Sequence, residues 1–471
     1  MGGTPDVPSR PSGGWRALLE PAIRHGGWFA VFLMLAPIVG PRGYGLFVMA
    51  LSGIAIIEAV LAETVAAVLT DTGARDDCCL STALVSAVGI GAVISLMLFV
   101  AAGQLDAMLD EAALGDIFQS LSLLPVLGAL SAVPMALLRR RGKHGPFVAV
   151  TSAGLAAGGG VAVALAWAGA GPWSLVAQIV VQRFVECAVL WTLAGRRIGL
   201  IWSPTQFARL FGAIGPRALV RVWPVVTRQT PCLLIGLALG PTACGLYMLA
   251  GRFAEALGDV LLAAPKPARR ALLSSWAEDI AFQAERVLLP AVLASTLLAI
   301  AMPPLVDIRW WGAVLPARIL LLGVIPAAII SAREAAVGSS NEARWQAVQA
   351  LGGIAAVALA VPYGLTAVAA ASLAFAIAAA LLSLIPIRRQ LGPGWHRTLA
   401  VAARPAAGAA AVGFLLYQLT EPVSLAVAAV SALCLLGALG WLCYLLLRGE
   451  RSVPQTAPAP LGRGLGSANP A

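Results

Sequence analysis

Runs of apolar residues, each roughly twenty residues long, follow one another along most of this chain, and a helix of that length crosses the hydrocarbon core of a bilayer. Hydrophobic residues make up 59% of the chain and charged residues 11%, whereas soluble domains carry about 25% charged residues. Backbone groups inside a bilayer must pair within the protein, so only helices and closed barrels can span it. Because the runs do not alternate with period two, we predict an all-α polytopic membrane protein rather than a barrel.

The apolar runs predict about fourteen transmembrane helices, if each run crosses the bilayer once. The predicted spans are residues 18–39, 44–68, 80–102, 117–138, 147–169, 173–195, 212–239, 243–264, 286–306, 312–332, 345–362, 365–387, 399–418 and 423–447. Residues 1–14 and 449–471 are polar and rich in Pro and Gly, so we predict a disordered lead and a disordered tail.

Lysine and arginine are concentrated in alternate loops between the predicted spans. The loops that carry them lie at 139–143, 196–209, 266–286, 333–344 and 388–397, and both termini belong to the same set. Cationic loops stay in the cytoplasm, so the pattern predicts a multi-pass membrane protein with an even number of spans and both termini cytoplasmic. The outward loops are short, which leaves no room for a large catalytic domain, and we therefore expect no enzymatic activity.

The net charge of +10 is accounted for by these loops, because no aromatic and basic pattern typical of nucleic-acid binding accompanies it. We expect no nucleic-acid partner. The seven cysteines form no CxxC pair and the chain has three histidines, so we predict buried structural cysteines, no metal site and no cofactor.

An eleven-residue pattern, G-P-x-x-x-G-L-[FY]-x-x-A, occurs at residues 40–50 and again at 240–250. Glycine and proline suit a tight turn, so each copy predicts the turn of a helical hairpin. Six predicted spans separate the copies, which gives both the same orientation and an axis along the membrane normal. We predict an N-lobe at 15–206, a C-lobe at 207–390 and two further helices at 391–448, an organisation typical of transporters that work by alternating access.

Charged residues lie inside several predicted spans, where they are costly and usually functional. Arg217, Arg221 and Arg228 share one helix face, as do Arg252, Glu255 and Asp259. Arg228 and Arg252 each lie twelve residues from Gly240, or about 18 Å along a helix, which places both near the midplane. Two arginines there have only one acid, Glu255, to share. Guanidinium groups bind phosphate in a bidentate way, so Arg228 and Arg252, then Arg221 and Arg217, are the candidate ligands of an anionic, phosphate-bearing substrate.

Other charges lie at matching depths and predict ion pairs, which serve either structure or function. The predicted pairs are Arg24–Glu58, Arg221–Asp259 and Arg183–Glu186. Arg24 is also the first-lobe candidate for binding substrate. The acids Glu58, Glu63, Glu255 and Asp259 are candidates for coupling transport to protons or sodium.

Two segments resemble motifs of a known family. Cys232 to Pro241, followed by Gly245-Leu246-Tyr247, resembles the "(L/I)IGxxLGxxxxGxY" signature of bacterial polysaccharide-biosynthesis flippases, and Gly171 to Gln178 resembles their "GxWSLVxQ" segment. Pro41 to Phe47 is similar to the family's first-lobe turn. These flippases belong to the multidrug/oligosaccharidyl-lipid/polysaccharide (MOP) exporter superfamily, which has the MATE-like fold. The family's acid before the signature is replaced here by Thr230-Pro231, which weakens any transfer of cation coupling to this helix.

The resemblance implies flipping of a polyprenyl-diphosphate-linked oligosaccharide for exopolysaccharide, capsule or O-antigen (lipopolysaccharide) biosynthesis. Its implied partners are that lipid, membrane lipid, and a polysaccharide polymerase with its export machinery. Two alternatives share the fold: a MATE-type multidrug/cation antiporter, which would favour acids over the arginine face, and a flippase for the peptidoglycan lipid precursor. A membrane-bound polymerase or ligase would need the large outer loop that this chain lacks.

Overall fold

The structure, a computed structural model, is helical throughout the residues it describes, which contain no strand. The described residues are 14–71, 77–109, 111–140, 145–195, 199–212, 216–262, 307–324, 326–327, 330 and 342–391. The predicted spans 286–306, 399–418 and 423–447, the tail, and the lead before Gly14 lie outside them. Eight helical segments of the described part are long and apolar enough to cross a membrane. The helical bundle is thereby confirmed, while the total of about fourteen spans stays a prediction.

The described part of the first half of the chain contains seven helices. They are α1 (Gly14–Asp71), α2 (Asp77–Leu109), α3 (Ala112–Leu121), α4 (Leu124–Arg140), α5 (Gly145–Trp167), α6 (Trp173–Ala194) and α7 (Pro204–Gly212). The described part of the second half contains α8 (Pro216–Leu239), α9 (Pro241–Leu262), α10 (Val314–Leu322), α11 (Glu342–Ala360) and α12 (Leu365–Leu391), with short 3-10 helices at Ile308–Ala313 and Val361–Tyr363. The predicted span 117–138 therefore consists of two helices, α3 and α4, because the chain turns at Ser122 and Leu123.

Both copies of the repeated pattern form the predicted turn. Gly40 has φ 69° and ψ 168° and divides α1 into two segments, and Gly240 has φ 87° between α8 and α9. Positive φ is readily adopted by glycine, and the proline that follows each glycine suits the first turn of the next helix. We call the end of the helical bundle where these two glycines lie the turn end.

The two turns pack directly against each other. A Cβ atom on Gly45 would overlap the carbonyl oxygen of Pro241, and one on Gly245 would overlap the carbonyl oxygen of Pro41. The contact is reciprocal between positions 200 residues apart, as expected where a two-fold axis passes between two copies of one motif. This contact confirms the prediction of two lobes related by a parallel repeat. The boundaries of the lobes stay a prediction.

A continuous apolar core extends from one lobe to the other near the turn end. It includes Leu35 and Phe47 of α1, Ile235 of α8, Leu249 of α9 and Trp310 of the first 3-10 helix, each almost fully buried. Within the first lobe α1 also packs on α4 and α5, and α5 packs on α6. The segment that carries the repeat is thus the central packing element of the described structure.

Two features of the fold were not predicted. Residues 204–212, expected to belong to a loop, form α7, which contacts α2. Cys232 and Cys244 form a disulfide that joins α8 to α9 close to Gly240. Cys79 and Cys187 are buried, as predicted, whereas Cys78 is half-buried, and Cys434 and Cys443 lie outside the described residues.

Candidate substrate site between the lobes

Two arginines of the second lobe meet on one carboxylate. Nε of Arg228 lies 3.4 Å from Oε1 of Glu255, and an Nη atom of Arg252 lies 3.4 Å from Oε2 of the same residue. Arg228 belongs to α8, whereas Arg252 and Glu255 lie one helical turn apart on α9. The side chains carry two positive charges and one negative charge, so the cluster has an excess of one positive charge.

The cluster is open on one side. The side chains of Arg228, Arg252 and Glu255 are 45%, 30% and 20% exposed. Arg228 lies twelve residues before Gly240 on a continuous helix, or about 18 Å from the turn end, which is close to the middle of a hydrocarbon core about 30 Å thick. Charged groups at that depth face a bundle interior or a polar cavity rather than lipid.

The first lobe contributes neutral groups to the same place. The guanidinium of Arg252 stacks over the indole of Trp28, 5.5 Å from the ring centroid, and it also interacts with the Tyr44 hydroxyl. One residue from Arg228, the Gln229 side-chain oxygen accepts a 3.0 Å hydrogen bond from Ser52. A cation and aromatic rings therefore meet between the lobes, a pair suited to a ligand with an anionic and a sugar part, while the hydroxyl groups of Ser52 and Tyr44 are buried beside them.

Trp28, Tyr44 and Ser52 were not predicted as site residues. The 200-residue repeat contained the signal, because Trp28 is equivalent to Arg228 and Ser52 to Arg252. A two-fold axis that relates the two copies brings residues of the first lobe at these equivalent positions close to the two arginines of the second.

Glu58 lies elsewhere, inside the first lobe. Its carboxylate is 3.7 Å from Arg183, which also approaches Glu186 at 3.6 Å, so the predicted Arg183–Glu186 pair is confirmed. Glu186 in turn accepts a 2.8 Å hydrogen bond from Gln182. These contacts join α1 to α6 and leave the two acids apart from the Arg228 cluster.

The remaining predicted residues have their backbones in the described helices. Arg24 and Glu63 belong to α1, Arg217 and Arg221 to α8, and Asp259 to α9. The side chains of Arg24, Arg217, Arg221 and Asp259 lie outside the described ones. The pairs Arg24–Glu58 and Arg221–Asp259 therefore stay predictions. Among the described residues no cluster of three or more His, Cys, Asp or Glu could hold a metal ion.

Aromatic residues close the gap between the lobes at the turn end. Trp310 of the second lobe is fully buried, and its ring centroid lies 5.2 Å from that of Phe32 and 5.7 Å from that of Tyr44. Its indole N–H donates a 3.2 Å hydrogen bond to the carbonyl of Ala36. Such edge-to-face rings add specific attraction to the area that they bury, so these residues seal the turn end in this conformation.

A polar contact borders the aromatic seal. The guanidinium of Arg309 donates to the carbonyl of Pro37 and lies 3.0 Å from the carboxylate of Asp307. The hydrogen bonds from the Arg309 side chain and backbone lower the pKa of Asp307. This carboxylate therefore keeps its charge, and its bond to Arg309, at every pH near neutrality.

The fold and the site together define a two-lobed helical membrane protein with a cluster of excess positive charge between its lobes. A model of the family described as "Polysaccharide biosynthesis protein" matches residues 34–306, and the chain belongs to this family. The succinoglycan biosynthesis transport protein ExoT of Rhizobium meliloti (strain 1021) is 24% identical over 314 residues, which are 66% of this chain and 62% of that protein. The match thus spans less than two thirds of that relative.

Solved structures of two kinds share the fold. The lipid II flippase MurJ in an inward closed conformation has a TM-score of 0.70 at 10% identity, covering 93% of this chain and 98% of that one. An inward-facing multidrug resistance MATE family transporter of the MOP superfamily has a TM-score of 0.60 at 15% identity, covering 82% and 98%. An outward-facing MATE transporter gives 0.56 at 16% identity, covering 82% and 95%. These similarities show that the fold is the predicted MATE-like fold.

Proposed function

We propose that this protein flips a polyprenyl-diphosphate-linked oligosaccharide across the bacterial inner membrane, for exopolysaccharide, capsule or O-antigen biosynthesis. The observation that carries the proposal is that Arg228 and Arg252 converge on a single carboxylate, Glu255, between the lobes. Membership of a polysaccharide-biosynthesis family and the similarity to ExoT support it. Arg24, Arg217 and Arg221 are proposed to extend the same anionic path.

The chemistry of the cluster fits a diphosphate. Here two guanidinium groups approach one carboxylate, and the side chains of Arg228 and Arg252 are 45% and 30% exposed. Guanidinium groups bind phosphate oxygens in pairs, and the interaction is strong where water is scarce. The indole of Trp28, which stacks on Arg252, then provides a stacking face for sugar.

We further propose alternating access, with the turn end on the outer side of the membrane and both chain termini in the cytoplasm. In the present conformation Trp310, Phe32 and Tyr44 close the turn end. Separation of the lobes there would expose Arg252 from the other side, because Tyr44 lies between Arg252 and Trp310. A polysaccharide polymerase and its export machinery would receive the flipped lipid.

Coupling to protons or sodium is proposed for Glu58, Glu63, Glu255 and Asp259. Glu255 is the most direct candidate, because protonation would release both arginines at once. Glu58 would act inside the first lobe through Arg183.

A flippase for the peptidoglycan lipid precursor is the second candidate, and the similarity in fold to MurJ favours it. Its cargo also carries a diphosphate, so the arginine cluster suits both. A MATE-type antiporter for cationic drugs fits less well, because a site with excess positive charge would repel a cation.

The test is transport by the purified protein in liposomes, with the polyprenyl-diphosphate-linked oligosaccharide and the peptidoglycan precursor as separate cargoes. Arg228→Ala and Arg252→Ala should each slow flipping by roughly tenfold to a hundredfold, since a hydrogen bond to a charged group contributes about 1.5–3 kcal/mol. Arg42→Ala is the matched control, because Arg42 pairs with Glu111 at the turn end at 2.9 Å, apart from the cluster. Flipping at the control rate in both cluster variants would contradict the site. Faster flipping of the peptidoglycan precursor would favour the second candidate.

A further inference from the structure

An apolar groove lies in the first lobe between the second segment of α1 and α2. It has a volume of about 350 Å³ and is closed at one end by Phe207 and Leu210 of α7. Among its lining residues only Thr64 and Ser86 are polar. The volume is within the range of ligand-binding cavities in proteins, yet nothing in the lining would recognise a polar molecule.

The groove faces away from the second lobe. Ser52 of α1 points toward the second lobe, where it contacts Gln229. At 100° per residue, Leu61 of the groove lies about 180° around the helix from Ser52. Val60 and Ile90 at its mouth are 47% and 42% exposed. The groove is therefore separate from the substrate site and opens toward lipid.

Its length matches one leaflet. On α1 the groove runs from Ile56 to Val65, nine residues or about 14 Å of helix, which is close to half of a hydrocarbon core about 30 Å thick. Ile56 lies sixteen residues from Gly40, or about 24 Å from the turn end. The groove thus extends from about 24 Å to about 38 Å from the turn end, that is, from the hydrocarbon of the opposite leaflet into its headgroup region. It can hold part of one acyl chain but is much too short for the polyprenyl chain of the proposed cargo.

The helix α7 closes the groove where the headgroups of that leaflet would lie. The indole of Trp202 donates a 3.2 Å hydrogen bond to Ser86, and the backbone N–H of Ser203 donates a 3.3 Å bond to Thr82, so α2 anchors the start of this helix. A tryptophan at this level is typical of a membrane interface. Phe207 faces the groove, whereas Arg209 in the last turn is exposed. An exposed cation on the helix that closes the groove suits an anionic headgroup.

We propose that the groove binds one acyl chain of an anionic glycerophospholipid, with its phosphate at Arg209. Because α7 lies on the chain between α6 and α8, it belongs to the connection between the lobes. A bound lipid fastens α7 to α2 and thereby limits the movement of that connection. Anionic lipid in this leaflet is then a regulator of the lobe movement.

The test measures lipid retained by the full-length protein, purified in mild detergent and examined by native mass spectrometry after incubation with phosphatidylglycerol or phosphatidylcholine. The wild-type protein should retain one phosphatidylglycerol in preference to phosphatidylcholine. Ala87→Phe fills the groove and should abolish retention, whereas Ala92→Phe, the same change on the exposed face of α2, should not. Arg209→Gln should weaken retention of phosphatidylglycerol about tenfold, as expected for one charge-assisted contact.

Three results would overturn the proposal. The first is that the wild-type protein, Ala87→Phe and Arg209→Gln retain equal amounts of phosphatidylglycerol. The second is equal retention of the two phospholipids by the wild-type protein, and the third is co-purification of a polyprenyl lipid that is lost in Ala87→Phe. If Ala87→Phe fails to fold, the exposed Arg209 decides, because its replacement leaves the core intact. Loss of flipping in the Arg228 variants has no bearing on lipid retention, so failure of the proposed function and failure of this proposal are distinguishable.

Discussion

The close approach of Gly45 to Gly245 makes a sharp prediction about which conformations the protein can adopt. A methyl group on Gly45 would overlap the backbone carbonyl of Pro241 and would lie 3.1 Å from the backbone N of Gly245. Backbone atoms cannot rotate away as side chains do, so the two turns must separate. Gly45→Ala is therefore expected to disfavour closure of the turn end.

The size of the effect of Gly45→Ala follows from the cost of overpacking a close-packed interior, which is about 1–3 kcal/mol. If the open conformation escapes this cost, a penalty of about 2 kcal/mol shifts the equilibrium between closed and open forms roughly thirtyfold, at 1.4 kcal/mol per factor of ten. Gly53→Ala is the matched control on the same helix, because the nearest atom to its Cβ would be a ring carbon of Phe118 at 3.8 Å, an ordinary contact.

The assay is the rate at which a cysteine at Ala36 reacts with a membrane-impermeant maleimide, in a background without the native cysteines. Ala36 is 7% exposed and accepts the hydrogen bond from Trp310, so it reacts only when the turn end opens. Gly45→Ala should raise the rate about tenfold to a hundredfold over Gly53→Ala, in line with the estimated penalty. Equal rates in two folded variants would refute the view that this contact belongs to a gate.

Three further predictions concern the gate and the site. Trp310→Ala should open the turn end, raise labelling at Ala36→Cys and destabilise the protein by about 3–5 kcal/mol in thermal unfolding, whereas Trp311→Ala, at a residue that is 57% exposed, should do neither. Glu255→Gln removes the carboxylate that competes with cargo for two arginines. Equilibrium dialysis should therefore show tighter binding of the lipid diphosphate, and the liposome assay should show slower release. Weaker binding of the lipid diphosphate would contradict this prediction. Because the pKa of Asp307 is lowered, its bond to Arg309 should persist down to the ordinary carboxylate range at about pH 4. Maleimide reacts with the thiolate, so the labelling rate at Ala36→Cys is divided at each pH by the rate of the same maleimide with a free small-molecule thiol. This ratio should stay constant between about pH 5 and pH 8 and rise only below about pH 4; a rise in the ratio near neutral pH would count against this contact.

Much of the fold could be predicted from sequence because the bilayer restricts the choices. Apolar runs of fixed length predict helices, and the repeated Gly-Pro pattern predicted turns that the structure confirms at Gly40 and Gly240. The sequence could not predict that the turns touch at Gly45, because a motif defines local backbone shape but not its packing partner. The helix α7 was missed because nine residues are too few to give a clear periodic pattern.

Depth along the helices placed Arg228 and Arg252 at one level, and the structure confirms that they converge on Glu255. Equal depth did not reveal that Glu58 also approaches Arg183, 125 residues away on α6, and the predicted pair with Arg24 stays a prediction. Depth fixes the position of a residue along the helix axis, whereas contact also depends on rotation about it. That rotation is decided by packing between distant helices, which one sequence does not reveal.

The repeat also shows why the two lobes must act differently. Arg228 and Arg252 of the second lobe replace Trp28 and Ser52 of the first, so two-fold symmetry is kept in the backbone at Gly45 and lost in the charges. A diphosphate bound to these arginines is attached to α8 and α9 alone, off the axis. When the turn end opens, an anion held in this way moves with the second lobe, while Trp28 moves away from Arg252 with the first. Under the proposed alternating access, separation of the lobes would remove the stacking partner of Arg252 and weaken the binding of cargo as the turn end opens, which is the order of events that release requires.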